Sequence, residues 1–276
     1  MEEFEGLEQA EQALPKGYLS WSQISSYLRC PMIYYNRYVL GLKIPPKGTL
    51  LLGGSLHKTF EIDLSGKKAN IDYNIDTLQD IYDDNWNELK EKYKSEYGEV
   101  DFSDEPEGQI KDAGYSILPL YRERIIVKPE EIVAVERSIE FELDNQKIIG
   151  YVDVELEKRI KEFKTTKRSW NEQVVFQNRL QTILYAVYYF KKEATKKDID
   201  YDIFVRLKQP RHQNVQITID SGNIQKYENY LTETVKNVIN GIKGGVFPKT
   251  GMYNYSCSWC GYRAFCHDIP EPTIIY

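Results

Sequence analysis

The chain has 276 residues, of which 41% are hydrophobic and 13% aromatic, so it can bury a large core in one domain or in two smaller ones. Its formal net charge of −6 argues against a protein that coats nucleic acid over its whole surface, but it allows a local basic groove. No run of about 18 apolar residues is present, and the N-terminus lacks the layout of a signal peptide. We therefore expect a cytoplasmic chain with no membrane span, in which the cysteines are reduced.

The N-terminal segment predicts a short helix after a polar arm. Residues 1–17 hold many acidic and amide residues, and we expect them to form a flexible acidic arm. Ser20 is followed three residues later by Gln23, which is the spacing of a helix-capping box. We expect a helix that begins there and stops at Cys30-Pro31.

A layer of helices is predicted ahead of the sheet. Gly53-Gly54 precede a segment that favours the first turns of a helix and contains His57. Two charged, periodic segments at 76–97 and 107–126 predict further helices. These elements predict a helical insertion over about residues 57–128.

From Pro129 onwards the pattern is typical of a sheet. A half-buried strand is predicted by an alternating apolar set, which consists of Val133, Val135, Ile139, Phe141 and Leu143. A turn at 144–146 predicts a hairpin into a strand at 147–157, and a third strand runs through Lys164. The remaining elements are predicted as a helix at 171–192, strands at 201–207 and 215–219 around a basic turn at 208–212, and a helix at 222–243. We expect a mixed α/β fold.

Two acids and a lysine stand out in the second and third predicted strands. Asp153 lies on the face opposite the apolar residues of its strand, and Glu162 and Lys164 share one side of theirs. Two carboxylates and a cation near one point suggest a site for a divalent metal and for phosphodiester cleavage. Spacing alone leaves open that these are solvated charges on half-exposed strands.

Two other polar groups bear on this site. On the predicted helix at 171–192, Gln177, Gln181 and Tyr185 lie at successive i, i+4 positions, either facing the acids or forming a polar edge in water. His57 is either a structural histidine or a neutral imidazole that gives a metal a further ligand.

The four cysteines form a second signal. Cys257 and Cys260 form a CxxC motif, Cys266 follows closely, and Cys30 is the remaining cysteine. Four thiolates suit either tetrahedral zinc or a four-cysteine iron–sulfur cluster, and the spacing does not separate the two. We expect either centre to tie the first helical segment to the C-terminal one. No phosphate-binding loop or G-x-S-x-G motif occurs.

The ordered motifs resemble the RecB-type branch of the PD-(D/E)XK nuclease superfamily, in its iron–sulfur subset. Similar proteins are the AddB nuclease domain, the CRISPR-associated adaptation exonucleases and the phage exonucleases. The likeness spans about residues 18–268 and is carried by Gly54 to His57, Gly150 to Asp153, Glu162 to Lys164, Gln181 with Tyr185, and the four cysteines. Glu162 stands where aspartate is more frequent in this family, and the pattern admits both.

The resemblance implies a restriction-endonuclease-like sheet flanked by helices, with an N-terminal helical layer and a C-terminal metal-cluster segment. It implies one nuclease domain at 18–276, with a core at about 129–243 and a cysteine segment at 244–268 that acts with Cys30. His57, Asp153, Glu162 and the Phe163 carbonyl would hold Mg²⁺ or Mn²⁺, and Lys164, Gln181 and Tyr185 would assist catalysis. Candidate contacts to the DNA backbone are Lys167, Arg168, Arg206, Lys208 and Arg211.

The function implied is a metal-dependent DNA exonuclease that acts on single-stranded ends in repair, recombination, or phage or CRISPR processing. Its cofactors would be Mg²⁺ or Mn²⁺ and a [4Fe–4S] cluster at Cys30, Cys257, Cys260 and Cys266, with zinc as the alternative. A separate helicase or recombinase is an expected partner. Two other functions stay open: a non-catalytic DNA-binding or scaffold subunit on the same fold, and a zinc-stapled protein-interaction module.

Overall fold

The computed structural model describes residues 14, 17–254 and 256–266, so most of the predicted arm at 1–17 lies outside the described residues. The helices are α1 (Trp21–Arg29), α2 (Pro31–Tyr34), α3 (Gly48–Lys68), α4 (Ile75–Tyr97), α5 (Glu107–Arg124), α6 (Glu172–Glu193), α7 (Ile224–Lys243) and α8 (Arg263–Cys266). The strands are β1 (Leu19–Ser20), β2 (Ile132–Leu143), β3 (Gln146–Leu156), β4 (Arg159–Thr166), β5 (Asp198–Val205) and β6 (Arg211–Ile217). None of the helices in this part of the chain is long and apolar enough to span a membrane.

The chain forms two compact units. Of the described residues, the first unit contains 14, 17–44, 140–149, 232–254 and 256–266, and the second contains 45–139 and 150–231.

In the first unit, α1 begins with the predicted capping box. The Ser20 amide donates to Gln23 Oε1 over 2.7 Å, and the Gln23 amide donates to Ser20 Oγ over 3.3 Å. The helix ends at Arg29, and Pro31 opens α2 at a position where the missing amide proton costs no hydrogen bond. Cys30 therefore lies at a fixed corner between two helices.

In the second unit, a mixed sheet follows from the connections between its strands. β3 pairs with β2 and, antiparallel, with β4, because short turns join these strands. β4 runs parallel to β5 along its whole length, and this parallel connection requires the long crossover that α6 provides. β6 pairs antiparallel with β5 and closes the order β3-β4-β5-β6. The expected mixed α/β fold with helices around a central sheet is confirmed.

Helices α3, α4 and α5 pack an aromatic core against this sheet. Phe60 of α3 stacks on Tyr121 of α5 with ring centroids 4.0 Å apart. Phe163 of β4 meets the Phe60 ring edge-on at 5.2 Å, and Phe204 of β5 lies 5.5 Å from Phe60. Offset and edge-on contacts are the favoured geometries of aromatic pairs. Phe163 therefore marks the side of β4 that faces the core. Because side chains alternate along a strand, residues 162 and 164 lie on the other face.

The start predicted for α3 is wrong. The helix begins at Gly48 instead of near Leu56, so Gly53 and Gly54 lie inside it. A Cβ at Gly54 would lie 2.6 Å from Leu89 Cδ2 of α4. The glycine permits a close helix approach, although in sequence it has the appearance of a helix breaker.

Two predictions about the strands are also wrong. At the start of β2 it is Ile132 that is buried, at 4% exposure, whereas Val133 is 44% exposed, so the predicted alternation does not extend to Val133. Glu136 has φ +49°, and a left-handed residue interrupts the alternation of a strand as a β-bulge does. β6 begins at Arg211, which pairs with Val205, so the turn is shorter than the predicted basic turn at 208–212.

Candidate metal centre

Asp153 lies where strands β3 and β4 separate. Its neighbours Val152 and Val154 are fully buried, which places Asp153 on the other face, as predicted. Asp153 Oδ2 accepts a 2.7 Å hydrogen bond from the Phe163 amide, so a side chain replaces a backbone ladder contact. The Asp153 side chain is 12% exposed. Burial raises the pKa of Asp153, and Lys164 and the Phe163 amide partly oppose this rise.

Glu162 and Lys164 meet on one side of β4, as the strand period predicts. Lys164 Nζ donates to Glu162 Oε2 over 3.0 Å. Burial and the nearby Asp153 raise the pKa of Glu162. Burial alone would lower the pKa of Lys164, but Glu162 and Asp153 raise it above its usual value. Lys164 is therefore a cation at neutral pH.

Helix α6 supplies the groups that orient Glu162. Tyr185 OH lies 2.8 Å from Glu162 Oε1 and 2.7 Å from the Tyr151 carbonyl oxygen, and the phenol proton can be donated to either. Gln181 Nε2 donates to Tyr185 OH over 2.8 Å and lies 3.3 Å from Glu162 Oε2. Both side chains are buried, which excludes a water-facing polar edge for them, whereas Gln177 is exposed.

His57 reaches the same centre from α3. Its Nδ1 lies 3.6 Å from Asp153 Oδ2, and the side chain is 30% exposed. Burial and then Lys164 lower the pKa of His57 to about 4, while Glu162 and a hydrogen bond to the Phe163 backbone act in the opposite direction. The ring is therefore neutral at neutral pH, which is the form that binds metal.

Glu136 also belongs to this cluster, and sequence reasoning missed it. Ligand atoms of His57, Glu136 and Asp153 all lie within 4.8 Å of one another. Burial, followed by Asp153, Glu61 and Glu162, raises the pKa of Glu136 to about 8.

The register set by the hairpin turn could have identified Glu136 as a neighbour of Asp153. Asp144 and Asn145 both have positive φ, at 51° and 61°, as a two-residue hairpin turn requires. Such a turn places residue 143 opposite 146 and, further along both strands, 136 opposite 153.

The predicted DNA-contacting cations do not share one environment. Arg206 is 7% exposed and binds Glu105 with two hydrogen bonds of 3.1 and 2.7 Å. Lys167 Nζ contacts the same carboxylate at 2.9 Å. The exposed members of the set are Arg168, Lys208 and Arg211.

In the first unit, all four cysteines line one cavity of about 80 Å³. A Cβ at Gly251 would lie 2.9 Å from the Cys257 sulfur and 3.6 Å from the Cys30 sulfur, so glycine leaves the Cys257 thiol its present space. Asn36 Nδ2 donates to the Cys266 sulfur over 3.4 Å. Burial, followed by the neighbouring thiols, raises the pKa of Cys257.

Comparison with one solved structure supports the fold. A candidate exonuclease from Eubacterium rectale aligns with a TM-score of 0.62 over 95% of this chain and 93% of that chain, at 11% identity. A second structure, SSO0001, aligns with a TM-score of 0.36 over 64% of this chain and 80% of that chain, at 14% identity. No curated protein matches the sequence significantly.

A family model gives the assignment. The model of the PD-(D/E)XK nuclease superfamily matches residues 18–267, and this range includes every site residue described above. The chain therefore belongs to the PD-(D/E)XK nuclease superfamily.

Proposed function

We propose that the protein is a Mg²⁺- or Mn²⁺-dependent DNA exonuclease that degrades single-stranded ends. The observation that carries this proposal is the meeting of Asp153, Glu162 and Lys164 on one side of β3 and β4, in a chain of the nuclease superfamily. The likeness to a candidate exonuclease over nearly the whole of both chains is compatible with exonuclease action.

The side chains present fit a hard divalent ion. Asp153, Glu162 and the Phe163 carbonyl offer oxygen, and His57 offers a neutral nitrogen, which are donors that Mg²⁺ and Mn²⁺ accept. A bound ion would lower the pKa of water and neutralise phosphate charge.

The other residues of the centre act through position and charge. Lys164 stays protonated, so we propose that it orients the attacking water and stabilises the phosphate, and does not act as a base. Tyr185 and Gln181 fix the Glu162 carboxylate through hydrogen bonds to both of its oxygens.

We propose that five basic residues contact the DNA backbone: Lys167, Arg168, Arg206, Lys208 and Arg211. Arg168, Lys208 and Arg211 are exposed and would contact phosphates directly. Arg206 and Lys167 bind Glu105, so they contact DNA only if a phosphate replaces that carboxylate. We expect the enzyme to act in DNA repair, recombination, or phage or CRISPR processing, with a separate helicase or recombinase that delivers the strand.

We further propose that the chain belongs to the RecB-type, iron–sulfur subset, with a [4Fe–4S] cluster at Cys30, Cys257, Cys260 and Cys266. Their shared cavity supports this proposal. Zinc holds thiolates at about 2.3 Å, which brings four sulfurs to roughly 4 Å from one another. Among the described residues no three of these sulfurs lie within 4.8 Å of one another, which favours a larger centre than zinc.

We also propose that both compact units belong to one nuclease domain. The family model matches residues 18–267 as one continuous range, and this range includes residues of both units.

The nuclease proposal is tested with end-labelled DNA, single- and double-stranded, linear and circular, in Mg²⁺ or Mn²⁺. We expect linear single strands to be degraded and circles to survive, with loss of activity in Asp153→Asn and Lys164→Ala. Lys158→Ala, an exposed lysine at the turn before β4, is the matched control and should cleave normally. DNA binding without cleavage in either metal would point to the non-catalytic subunit instead.

The cluster proposal is tested by metal analysis of anaerobically purified protein. We expect a brown protein with broad visible absorption, and loss of iron in Cys260→Ser. A colourless protein with one equivalent of zinc would contradict the proposal.

A further inference from the structure

We propose that Glu136 is a further ligand of the divalent cation, and that it binds the cation together with His57 and Asp153. This inference rests on the proposed metal-dependent activity and adds a third strand, β2, to the metal centre.

The distances suit one ion. His57 Nδ1 and Asp153 Oδ2 are 3.6 Å apart, and the Glu136 ligand atom completes a set within 4.8 Å. Magnesium–oxygen distances of about 2.1 Å place neighbouring ligands about 3 Å apart and opposite ligands about 4.2 Å apart. A separation of up to 4.8 Å exceeds that of opposite ligands by at most about 0.6 Å and that of neighbouring ligands by less than about 2 Å, so side-chain movements of that size bring all three atoms onto one cation.

The backbone of β2 directs Glu136 into the centre. Its φ of +49° is unfavourable for a residue with a Cβ, and glutamate is not among the residues that adopt this conformation readily. Such a conformation persists where the surrounding structure determines it, and it concentrates at functional sites. The interrupted alternation of β2 places the Glu136 carboxylate beside Asp153 of the paired strand.

The carboxylate also lacks a partner of its own. Within the described part of the chain, no side chain hydrogen-bonds to or forms an ion pair with Glu136, although the residue is partly buried. A partly buried carboxylate is less well solvated than one in water, and a bound cation would offset that cost.

The formal charges lead to the same conclusion. When all three are ionised, the carboxylates of Glu136, Asp153 and Glu162 carry three negative charges, and Lys164 offsets one of them. One divalent cation balances the remaining two charges.

A nearby glutamate provides the control. Glu61 lies one turn after His57 on the same helix, but Lys58 Nζ already binds both of its oxygens, at 2.9 and 2.8 Å. Glu61 is therefore an acid near the centre that needs no metal, and Glu61→Gln matches Glu136→Gln in chemistry.

The test is calorimetric titration of the purified, cluster-loaded protein with MnCl₂ in the absence of DNA. The Asp153→Asn variant serves as the blank for ions bound elsewhere. We expect Glu136→Gln to weaken Mn²⁺ binding about 10- to 100-fold, while Glu61→Gln changes it less than about threefold. In Glu136→Gln, raising the Mn²⁺ concentration should restore cleavage.

Each outcome bears on a different statement. Unchanged Mn²⁺ affinity in Glu136→Gln, with a wild type that binds and cleaves, would overturn the role of Glu136 and leave the proposed function intact. A wild type that neither binds Mn²⁺ nor cleaves DNA would overturn the proposed function itself. If Glu136→Gln does not fold, Glu136→Asp keeps the charge on a shorter arm, and its Mn²⁺ affinity should fall without loss of the fold; wild-type affinity in that variant would contradict the proposal.

Discussion

Replacement of Glu136 by glutamine should stabilise the metal-free protein, and the gain should grow with pH. The pKa of Glu136 is raised from 4.5 to about 8, chiefly by burial. Between these two values the folded state holds a proton that the unfolded state has released. The contribution of this carboxyl to the free energy of unfolding therefore falls as the pH rises from about 4.5 to about 8, and then stays constant. Glutamine cannot ionise, so the variant escapes this loss.

The size of the gain follows from the shift. Each pKa unit corresponds to about 1.4 kcal/mol, so a rise from 4.5 to about 8 sets a ceiling of about 5 kcal/mol above pH 8. Water entry and relaxation reduce such penalties in real proteins. We expect about 2 kcal/mol at pH 8.5 and close to zero at pH 5, which corresponds to roughly 4–8 °C in melting temperature for a chain of this length.

The assay is thermal and urea unfolding of wild type and Glu136→Gln in EDTA at pH 5, 7 and 8.5. Glu61→Gln is the control and should not become more stable than wild type, because it loses the ion pair with Lys58. An equal difference at all three pH values, or a variant that is less stable than wild type at pH 8.5, would refute the reasoning. With saturating Mn²⁺ the order should reverse, since the wild type binds the ion more tightly.

Two further substitutions test the supports of the two sites. Tyr185→Phe removes the hydroxyl that contacts Glu162 and the Tyr151 carbonyl, so we expect a loss of about 1–3 kcal/mol in unfolding free energy and slower cleavage at unchanged DNA affinity; wild-type kcat would contradict this role. Gly251→Ala places a methyl group 2.9 Å from the Cys257 sulfur, so bound metal measured by elemental analysis should fall, and full occupancy would show that the loop can shift.

Local periodicity explains why the centre of the site could be predicted. The alternation of a strand places Glu162 and Lys164 on one side and Phe163 on the other, and this needs no knowledge of distant contacts. The i, i+4 spacing of Gln181 and Tyr185 is equally local, and the hydrogen bond between these two side chains follows from it.

Features that depend on distant contacts could not be predicted in the same way. The left-handed backbone at Glu136 is imposed by its surroundings. The sequence prediction assumed a regular strand, and it therefore extended the buried alternation as far as Val133. Gly54 leaves space for Leu89 of another helix, although a glycine in the sequence suggests that a helix is interrupted there. Arg206 has the appearance of a free cation next to a basic turn, but Glu105, far away in the sequence, binds it.

Phe163 belongs to the core and to the proposed metal centre at once. Its ring is one of the aromatic group around Phe60 and Tyr121, while its amide holds Asp153 and its carbonyl is the proposed ligand. A change that loosens the packing of that ring also displaces the peptide groups on either side of it. If the proposed site binds an ion, its affinity should depend on the rigidity of the aromatic core, and substitutions at Phe60 should be detectable in metal binding although Phe60 offers no ligand.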